Sequence, residues 1–311
     1  MAYNLKEWAK RPERFTGGHR LCAGCGATPV VRTILRAVKP EDHVIASAAT
    51  SCLEVSSFLY PYTAWNDSFI HSAFENVAAT ISGVEAVYKA KLRKGEKVDS
   101  TKFIAFAGDG GTYDIGLQAL SGAMERGHDM VYVCYDNGAY MNTGIQRSSS
   151  TPRFADTSTS PAGSVIPGKV QRGKDLSLIM MGHHIPYVAQ TMPLKNFSDL
   201  SNKAEKAIYT PGAAFLNVLA PCPRGWRYET SKLMDMCELA LDTCVWPIYE
   251  IVEGKLTVSY IPKTKRPVAD YLKPQGRFSH MFKPGNEWMI DEVQKQTDQQ
   301  WEMLLKLNEM K

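Results

Sequence analysis

Short apolar runs recur along the first 220 residues of the chain, separated by longer segments of mixed polarity. Each run is apolar nearly throughout and does not alternate with polar residues, which is typical of strands buried on both faces of a sheet. The predicted strands are Val44–Ala48, Phe103–Ala107, Met130–Tyr135, Pro186–Ala189 and Phe215–Leu219.

The segments between these runs have the period of amphipathic helices. In residues 71–92, apolar side chains recur after four, three and four residues, which places them on one helix face. These side chains are Val77, Ile81, Val84 and Tyr88. Residues 115–126 and 198–209 have a similar pattern. Strands that alternate with helices predict an α/β fold with a mainly parallel sheet and helices on both faces.

Two regions depart from this alternation. Residues 144–172 are rich in Ser, Thr, Pro and Gly without a period, and a loop of that length is usually functional or disordered. Residues 253–285 begin with a predicted hairpin at Glu253-Gly254 and continue with scattered prolines, and 286–309 predict an amphipathic helix. We therefore expect a main domain over 1–252 and a C-terminal extension over 253–311, which packs on that domain or on a partner subunit.

Composition and charge narrow the function classes. The net charge is +4, from 36 basic and 32 acidic residues, which is too small an excess to predict binding to nucleic acid or to a membrane surface. No apolar run has the length of a membrane span, and the first twenty residues lack the apolar core of a secretory signal. These observations predict a cytoplasmic protein.

Seven cysteines occur in the chain, and their spacing separates them into two groups. Cys22 and Cys25 form a C-x-x-C pair, which is compatible with a redox dithiol, half of a zinc site or half of an iron–sulfur site. Cys52 and Cys222 each follow a predicted strand, where α/β proteins place ligand sites. The other three thiols indicate core packing: Cys134 lies in an apolar predicted strand, and Cys237 and Cys244, seven residues apart, fall on one face of a predicted helix.

The segment Gly108-Asp109-Gly110-Gly111 lies between a predicted strand and a predicted helix. Glycines at this position let the backbone approach a diphosphate at the helix N-terminus. An acidic residue suits such a site only if a cation bridges it to the phosphates, and Mg²⁺ binds in this way. An Asn-rich loop, 136–144, follows the next strand and can return to the same sheet edge. The pair of motifs is a signature of thiamine-diphosphate enzymes.

The motifs together resemble the β subunits of archaeal and bacterial pyruvate:ferredoxin oxidoreductases (pyruvate synthases), within the 2-oxoacid:ferredoxin oxidoreductase family. The resemblance runs from about residue 16 to the C-terminal helix. It is carried by CAGCGA at 22–27, HSAFEN at 71–76, the stretch from GDGG at 108 to Pro152, APCPRGW at 220–226 and QGRF at 275–278. It implies the diphosphate-binding domain of a thiamine-diphosphate enzyme.

The resemblance also implies a role for each matching residue. Cys22, Cys25, Cys52 and Cys222 would ligate a [4Fe–4S] cluster rather than zinc. Asp109, the side chain of Asn137 and the carbonyl of Ala139 would hold Mg²⁺. The turn Gly108, Gly110 and Gly111, together with Thr143, would contact the diphosphate, with Thr50 beside the cofactor and Asn142 at the substrate. Some members carry an acidic residue where this chain has Ala27, so no cofactor contact is expected from that position.

The implied reaction is the oxidative decarboxylation of pyruvate with coenzyme A to acetyl-CoA and CO2, with electrons passed through the cluster to ferredoxin. Thiamine-diphosphate enzymes use a glutamate on a separate pyrimidine-binding domain, and no residue of this chain is positioned for that role by its sequence. We expect an alpha subunit to supply that domain, and gamma and delta (ferredoxin-like) subunits to complete a complex that alone is active.

Alternatives remain open at this stage. The substrate could be 2-oxoisovalerate, oxalate or 2-oxoglutarate, although the extension with QGRF favours the pyruvate and branched-chain types. A non-redox thiamine enzyme would share the Gly-Asp-Gly and Asn motifs but has no use for four cysteines on loops. A zinc-stapled structural subunit would use the cysteines but would not need Asp109 and Asn137.

Overall fold

The computed structural model describes residues 4–310, apart from the side chain of Leu5. These residues form an eight-stranded sheet in the order β2-β1-β3-β4-β6-β5-β7-β8. All neighbours from β2 to β5 in this order are parallel, whereas β7 and β8 are antiparallel additions at one edge. The strands are β1 (His43–Ala49), β2 (Ser68–Ser72), β3 (Thr101–Gly108), β4 (Val131–Asp136), β5 (Tyr187–Thr191), β6 (Ala214–Leu219), β7 (Tyr249–Val252) and β8 (Lys255–Val258).

Helices connect the strands and cover both faces of the sheet. The α-helices are α1 (Leu5–Lys10), α2 (Ala27–Arg36), α3 (Cys52–Ser57), α4 (Val77–Arg93), α5 (Leu117–Glu125), α6 (Leu176–Met181), α7 (Ser198–Tyr209), α8 (Pro223–Trp226), α9 (Leu233–Asp242), α10 (Val268–Leu272) and α11 (Trp288–Glu309). A π-helical turn spans Gly110–Ile115, and short 3₁₀ turns span Thr230–Lys232 and Gly276–Phe282.

The alternation of side chains along β3 shows why both faces are covered. Ile104 and Phe106 pack with residues of α2 and α7 in one apolar cluster, whereas Phe103 and Ala105 pack with α4, α5 and α11 in another. Successive side chains of a strand point to opposite faces of the sheet, so a strand that is apolar throughout must be buried on both faces. The predicted α/β fold with a mainly parallel sheet and helices on both faces is confirmed.

Two elements differ from the sequence prediction. The predicted helix over 71–92 begins only at Val77, because residues 68–72 form the short edge strand β2. Cys244 does not share a helix face with Cys237, because α9 ends at Asp242 and Cys244 follows in a left-handed conformation with φ of 56°. Both thiols are nevertheless buried in the core, as is Cys134 in β4.

The C-terminal residues pack closely against the sheet. The predicted hairpin is confirmed: Glu253 and Gly254 both have positive φ between β7 and β8, as a tight two-residue turn requires. Trp301 and Leu304 of α11 are buried in the same apolar cluster as β4 and β6. The division into domains at residue 252 stays a prediction.

The described part of the chain contains no helix that is both long and apolar enough to span a bilayer.

Phe215 tests how far the central sheet determines stability. It is fully buried in β6, and its ring stacks on Tyr132 of β4 with 6.0 Å between centroids. We expect Phe215→Ala to lower the free energy of unfolding by about 3–5 kcal/mol, because it leaves a cavity in the core. Denaturant unfolding followed by circular dichroism measures this change. Val87→Ala on the exposed side of α4 is the control and should change stability by about 0.5 kcal/mol at most. Equal effects of the two substitutions would contradict the packing described above.

Candidate functional site

Four adjacent parallel strands end at one edge of the sheet, and the candidate residues follow directly after them. In sheet order these strands are β1, β3, β4 and β6. Thr50 and Cys52 follow β1, Asp109 follows β3, Asn137 follows β4, and Cys222 follows β6. The carboxyl ends of parallel strands form the crevice in which α/β proteins bind ligands. The register of the sheet therefore collects residues that lie up to 172 positions apart in sequence.

A small cavity lies at this edge. Every residue predicted to bind the cofactor lines it except Asp109, and Cys52 lines it as well. The lining residues from the prediction are Thr50, Gly108, Gly110, Gly111, Asn137, Ala139, Asn142 and Thr143. Phe74, Tyr140 and Met141 add an apolar wall that the sequence did not predict.

Asp109 lies beneath this cavity and is fully buried. The hydroxyl of Ser148 donates a hydrogen bond to its Oδ2 at 2.5 Å, and the backbone N–H of Asn137 donates to its Oδ1 at 3.3 Å. Burial raises the pKa of Asp109 well above its usual range, and the negative charge of Asp136 acts in the same direction. An ionised carboxylate here requires a positive partner.

The side-chain amide of Asn137 indicates where such a partner would fit. One end of this amide lies 3.0 Å from Asp109 Oδ1 and 2.8 Å from the carbonyl oxygen of Ala139. With its nitrogen turned towards them, the amide donates a hydrogen bond to each. With its oxygen turned towards them, this oxygen lies at separations from the other two that are close to the edge of a Mg²⁺ octahedron, about 3.0 Å for Mg–O bonds of about 2.1 Å. The donor set therefore fits Mg²⁺.

The glycines of the turn after β3 are required by the protein's own packing. A Cβ atom on Gly110 would lie 2.3 Å from the ring of Tyr140, whose hydroxyl donates to the Gly110 carbonyl at 2.9 Å. A Cβ atom on Gly111 would lie 3.0 Å from the carbonyl oxygen of Phe74. The backbone is thus exposed to the cavity between aromatic residues, and a diphosphate can approach it.

Thr50, Asn142 and Thr143 lie around the open part of the cavity. Thr50 donates a hydrogen bond to the Ser72 carbonyl at 3.2 Å, which ties the end of β1 to β2. Thr143 is exposed and donates to the side chain of Gln146 at 2.8 Å. Asn142 is exposed as well, so it can contact a ligand without rearrangement of the core.

A row of serines in the long loop was missed by the sequence analysis. Ser148 donates to Asp109, Ser149 donates to Asp114, and Ser150 donates to Asp136 at 2.6 Å. The loop 144–172 is therefore held onto the site by three successive hydroxyl–carboxylate hydrogen bonds. The triplet in SSST was the available signal, but its partners lie 39, 35 and 14 residues away.

Lys169 secures the same loop from within. It is buried, and its Nζ donates to the carbonyls of Thr151 at 2.5 Å and Ser149 at 3.3 Å. Burial lowers the pKa of Lys169 to about 8, with the positive charge of Arg147 acting in the same direction. This lysine was also missed, because nothing in its local sequence distinguishes it from a surface residue.

The four predicted cluster ligands lie on three loops that meet beside the cavity. Cys22 is exposed, whereas Cys25, Cys52 and Cys222 are partly exposed. Burial raises the pKa of Cys52 to about 12, and the charges of Cys222, Cys25 and Cys22 act in the same direction. Burial likewise raises the pKa of Cys25 to about 11, with Cys222 and Cys22 contributing. The four thiols are therefore near enough to interact electrostatically.

Backbone contacts fix these loops relative to each other. The N–H of Gly26 donates to the carbonyl of Pro221 at 3.0 Å, and a Cβ atom on Gly26 would lie 2.6 Å from the Pro221 nitrogen. The Sγ of Cys222 accepts the N–H of Gly225 at 3.4 Å. Within residues 4–310, no three His, Cys, Asp or Glu side chains are close enough together to hold a metal ion. Thiolates are the usual ligands of iron–sulfur clusters, so the four residues suit such a cluster by their chemistry.

Trp226 joins the cysteine loops to the cavity. It ends α8, which begins directly after Cys222, and its Nε1 donates to the backbone carbonyl of Asn137 at 2.6 Å. The indole is buried. The segment that carries one candidate cluster ligand is therefore hydrogen-bonded to the loop that carries two candidate Mg²⁺ ligands.

Comparison with known proteins agrees with this geometry. Residues 47–218 match the family described as thiamine pyrophosphate enzyme, C-terminal TPP binding domain. That region contains the cavity and the Asp109–Asn137 pair, but not Cys22, Cys25 or Cys222.

Full-length relatives are similar to the whole chain. Pyruvate synthase subunit PorB of Thermotoga maritima is 46% identical over 100% of this chain and 98% of its own length. PorB of Methanocaldococcus jannaschii is 49% identical over 94% of this chain and 97% of its own length. Ketoisovalerate oxidoreductase subunit VorB of Pyrococcus abyssi is 42% identical over 96% of this chain and 94% of its own length.

A solved structure shares the fold. It is the 2-oxoglutarate:ferredoxin oxidoreductase of Magnetococcus marinus, with a TM-score of 0.54 and 19% identity over 73% of this chain and 78% of that chain.

Proposed function

The chain belongs to the family of pyruvate synthase PorB subunits, and from this membership we propose that it is the thiamine-diphosphate-binding and cluster-carrying subunit of a pyruvate:ferredoxin oxidoreductase. The family membership makes the chain a subunit of an oxidoreductase that acts in a complex. The proposed reaction converts pyruvate, coenzyme A and two oxidised ferredoxins into acetyl-CoA, CO2, two reduced ferredoxins and a proton.

The observation that carries the proposal is the convergence of oxygens at the cavity floor. One end of the Asn137 amide lies 3.0 Å from Asp109 Oδ1 and 2.8 Å from the Ala139 carbonyl oxygen. These three residues would hold Mg²⁺, and Gly108, Gly110 and Gly111 would hold the diphosphate, whose negative charge the ion would neutralise. When bound, thiamine diphosphate supplies the electron sink for decarboxylation.

The chain's own residues bind and orient these groups. Thr143 would donate to the diphosphate and Thr50 would lie against the cofactor, since both line the cavity. Asn142, exposed at the same cavity, would contact the substrate carboxylate. Phe74 and Tyr140 would exclude water from one side of the cofactor, and their rings are in contact at 5.8 Å between centroids.

A [4Fe–4S] cluster on Cys22, Cys25, Cys52 and Cys222 would serve the redox half of the reaction. When bound, it supplies a one-electron acceptor. The position of Cys52 supports this role, because it lines the same cavity as Thr50 and is two residues away in sequence. Cys52 would therefore hold the cluster next to the residues that would hold the cofactor.

We infer that partner subunits are needed, because the nearest acidic residue of this chain already has a partner within the chain. Glu54 is the acidic residue nearest to Cys52 in sequence, but it is buried and paired with His71. Because its carboxyl group is already occupied by His71, it is not available to a pyrimidine ring. We therefore assign the activating glutamate to an alpha subunit. Gamma and delta subunits of the ferredoxin-like type would relay electrons to ferredoxin. The complex would act in the cytoplasm under anaerobic conditions.

A second substrate has a specific observation in its favour. The VorB relative is named a ketoisovalerate oxidoreductase subunit and is nearly as similar to this chain as the PorB relatives are. Branched 2-oxoacids are therefore the first alternative, ahead of oxalate and 2-oxoglutarate. A zinc-stapled structural subunit would leave the oxygen cluster at Asp109 without a use.

Iron content tests the cysteine assignment. Protein purified without oxygen should hold about four irons per chain, as a four-thiolate cluster requires. Cys222→Ser should lower this content, because it replaces a candidate ligand, whereas Cys134→Ser should retain it, because Cys134 is buried in β4. Iron and sulfide analysis with electron paramagnetic resonance measures both. Equal iron in the two variants would refute the assignment, and zinc in place of iron would favour the structural alternative.

Asp109 tests the metal site. We expect Asp109→Ala to weaken Mg²⁺-dependent binding of thiamine diphosphate by about 100-fold or more, because the diphosphate loses the cation that neutralises it. Titration calorimetry with and without Mg²⁺ measures the affinity. Asp114→Asn is the matched control: this aspartate also accepts a hydrogen bond from a loop serine, but it is partly exposed and pairs with Lys174, so this variant should bind the cofactor normally. Unchanged affinity in Asp109→Ala would refute the proposed metal site.

Activity tests the subunit and substrate assignments together. The isolated chain should not reduce a viologen dye with pyruvate and coenzyme A, whereas the chain produced with its partner subunits should do so. In that complex kcat/KM should be higher for pyruvate than for 2-oxoisovalerate or 2-oxoglutarate. An active isolated chain would overturn the subunit assignment, and a preference for 2-oxoisovalerate would replace pyruvate as the substrate.

A further inference from the structure

Arg277 is a buried cation that the proposed function leaves without a role. It lies in the 3₁₀ turn Gly276–Phe282 and is only 2% exposed. Its Nε donates to the side chain of Gln275 at 2.9 Å, whereas its Nη2 has no hydrogen-bond partner among residues 4–310. Burial lowers the pKa of Arg277 to about 10, which still leaves it charged at neutral pH. A buried guanidinium is costly unless anions nearby require it.

On one side, Arg277 contacts the segment that carries a candidate cluster ligand. Its guanidinium carbon lies 4.0 Å from the centre of the Trp226 ring, at the end of α8. α8 begins directly after Cys222. A guanidinium stacked on an indole fixes the plane of both groups. Arg277 therefore holds the indole whose N–H binds the Asn137 carbonyl.

On the other side, Arg277 contacts the candidate Mg²⁺ loop. Its Nη1 lies 3.0 Å from the point that a Cβ atom on Gly138 would occupy. Gly138 stands between Asn137 and Ala139 and has a φ of 74°. The close approach of the guanidinium, together with this left-handed backbone, requires glycine at the position. Arg277 thus touches the loop between its two candidate metal-binding residues.

The charge of Arg277 acts on anionic groups in both segments. The guanidinium lies near the carboxyl group of Asp136, which precedes Asn137, and near the sulfur of Cys222, which precedes α8. A single cation is shared by the two segments.

We propose that Arg277 is a positioning residue that clamps the loop 136–139 against the segment 222–226 and supplies the fixed positive charge that the Mg²⁺ site and the cluster share. The proposal rests on the proposed function. It assigns to the C-terminal residues a direct part in holding both cofactors. Removing the charge should weaken the metal loop and make the cluster harder to reduce, since iron–sulfur potentials fall as nearby positive charge is lost.

The test uses the complete complex, purified without oxygen, with Arg277→Gln and the control Arg153→Gln. Arg153 lines the same internal cavity as Arg277, but it pairs with Glu292 at 3.0 Å and is partly exposed. Arg277→Gln should weaken Mg²⁺-dependent binding of thiamine diphosphate by about tenfold or more, as is usual when an outer-shell partner is lost. It should also shift the midpoint potential of the cluster to a more negative value. Arg153→Gln should change neither quantity.

Two further variants separate charge from position. Arg277→Lys keeps the charge and loses the planar stacking, so it should preserve the potential and weaken cofactor binding. Trp226→Phe keeps a ring under the guanidinium and loses the N–H donor to Asn137, so it should give the same result. If Arg277→Gln does not fold, these two variants decide the question: normal binding in both would overturn the proposal.

The outcomes also distinguish this proposal from the proposed function. Wild-type complex that lacks iron or Mg²⁺-dependent cofactor binding would refute the proposed function. Wild-type complex that has both, with Arg277→Gln indistinguishable from it in affinity and potential, would refute only the role of Arg277.

Discussion

Asp109 carries a carboxylate that is fully removed from water, and the surroundings of this one group account for much of the site. Its desolvation is offset only in part by the hydroxyl of Ser148 and the N–H of Asn137. A cation that neutralised this carboxylate would lie beside the oxygens of Asp109, Asn137 and Ala139. The long loop that provides Ser148 is held in turn by the buried Lys169. A carboxylate at the end of β3 thus orders a loop that would otherwise have little reason to fold onto the sheet.

The sequence predicted the parts of this arrangement that depend on local pattern. Apolar runs located β1, β3, β4, β5 and β6, and short motifs after four of them located the cavity. It missed β2, because Ser68–Ser72 is short, mixed in polarity and followed at once by a strong helix pattern. It also missed the partners of Asp109 and Asn137, because Ser148 and Trp226 lie 39 and 89 residues away. Long-range hydrogen bonds leave no period in the chain, so only the folded structure shows them.

The cysteines show a related division. Those in strands or in the hydrophobic core, such as Cys134, could be recognised from their apolar neighbours alone. The other four were identified from the C-x-x-C spacing, from their positions after predicted strands and from the family resemblance, and the structure adds that their segments lie near one another, which depends on the order of the parallel strands. The C-terminal residues were harder still to interpret, since prolines and scattered charges concealed a tightly packed turn. Arg277 lies in that turn, and its charge faces inward towards segments that precede it by more than fifty residues.

Gly110 and Tyr140 depend on each other sterically. The ring of Tyr140 fills the space where a side chain on residue 110 would stand, and its hydroxyl holds the carbonyl of the same glycine. The demand for glycine is therefore present before any cofactor enters, and it would persist if the pocket were redesigned for a smaller ligand. For protein engineering the two positions form a single unit. A larger residue can be introduced at 110 only together with a smaller one at 140, so neither position can be optimised alone.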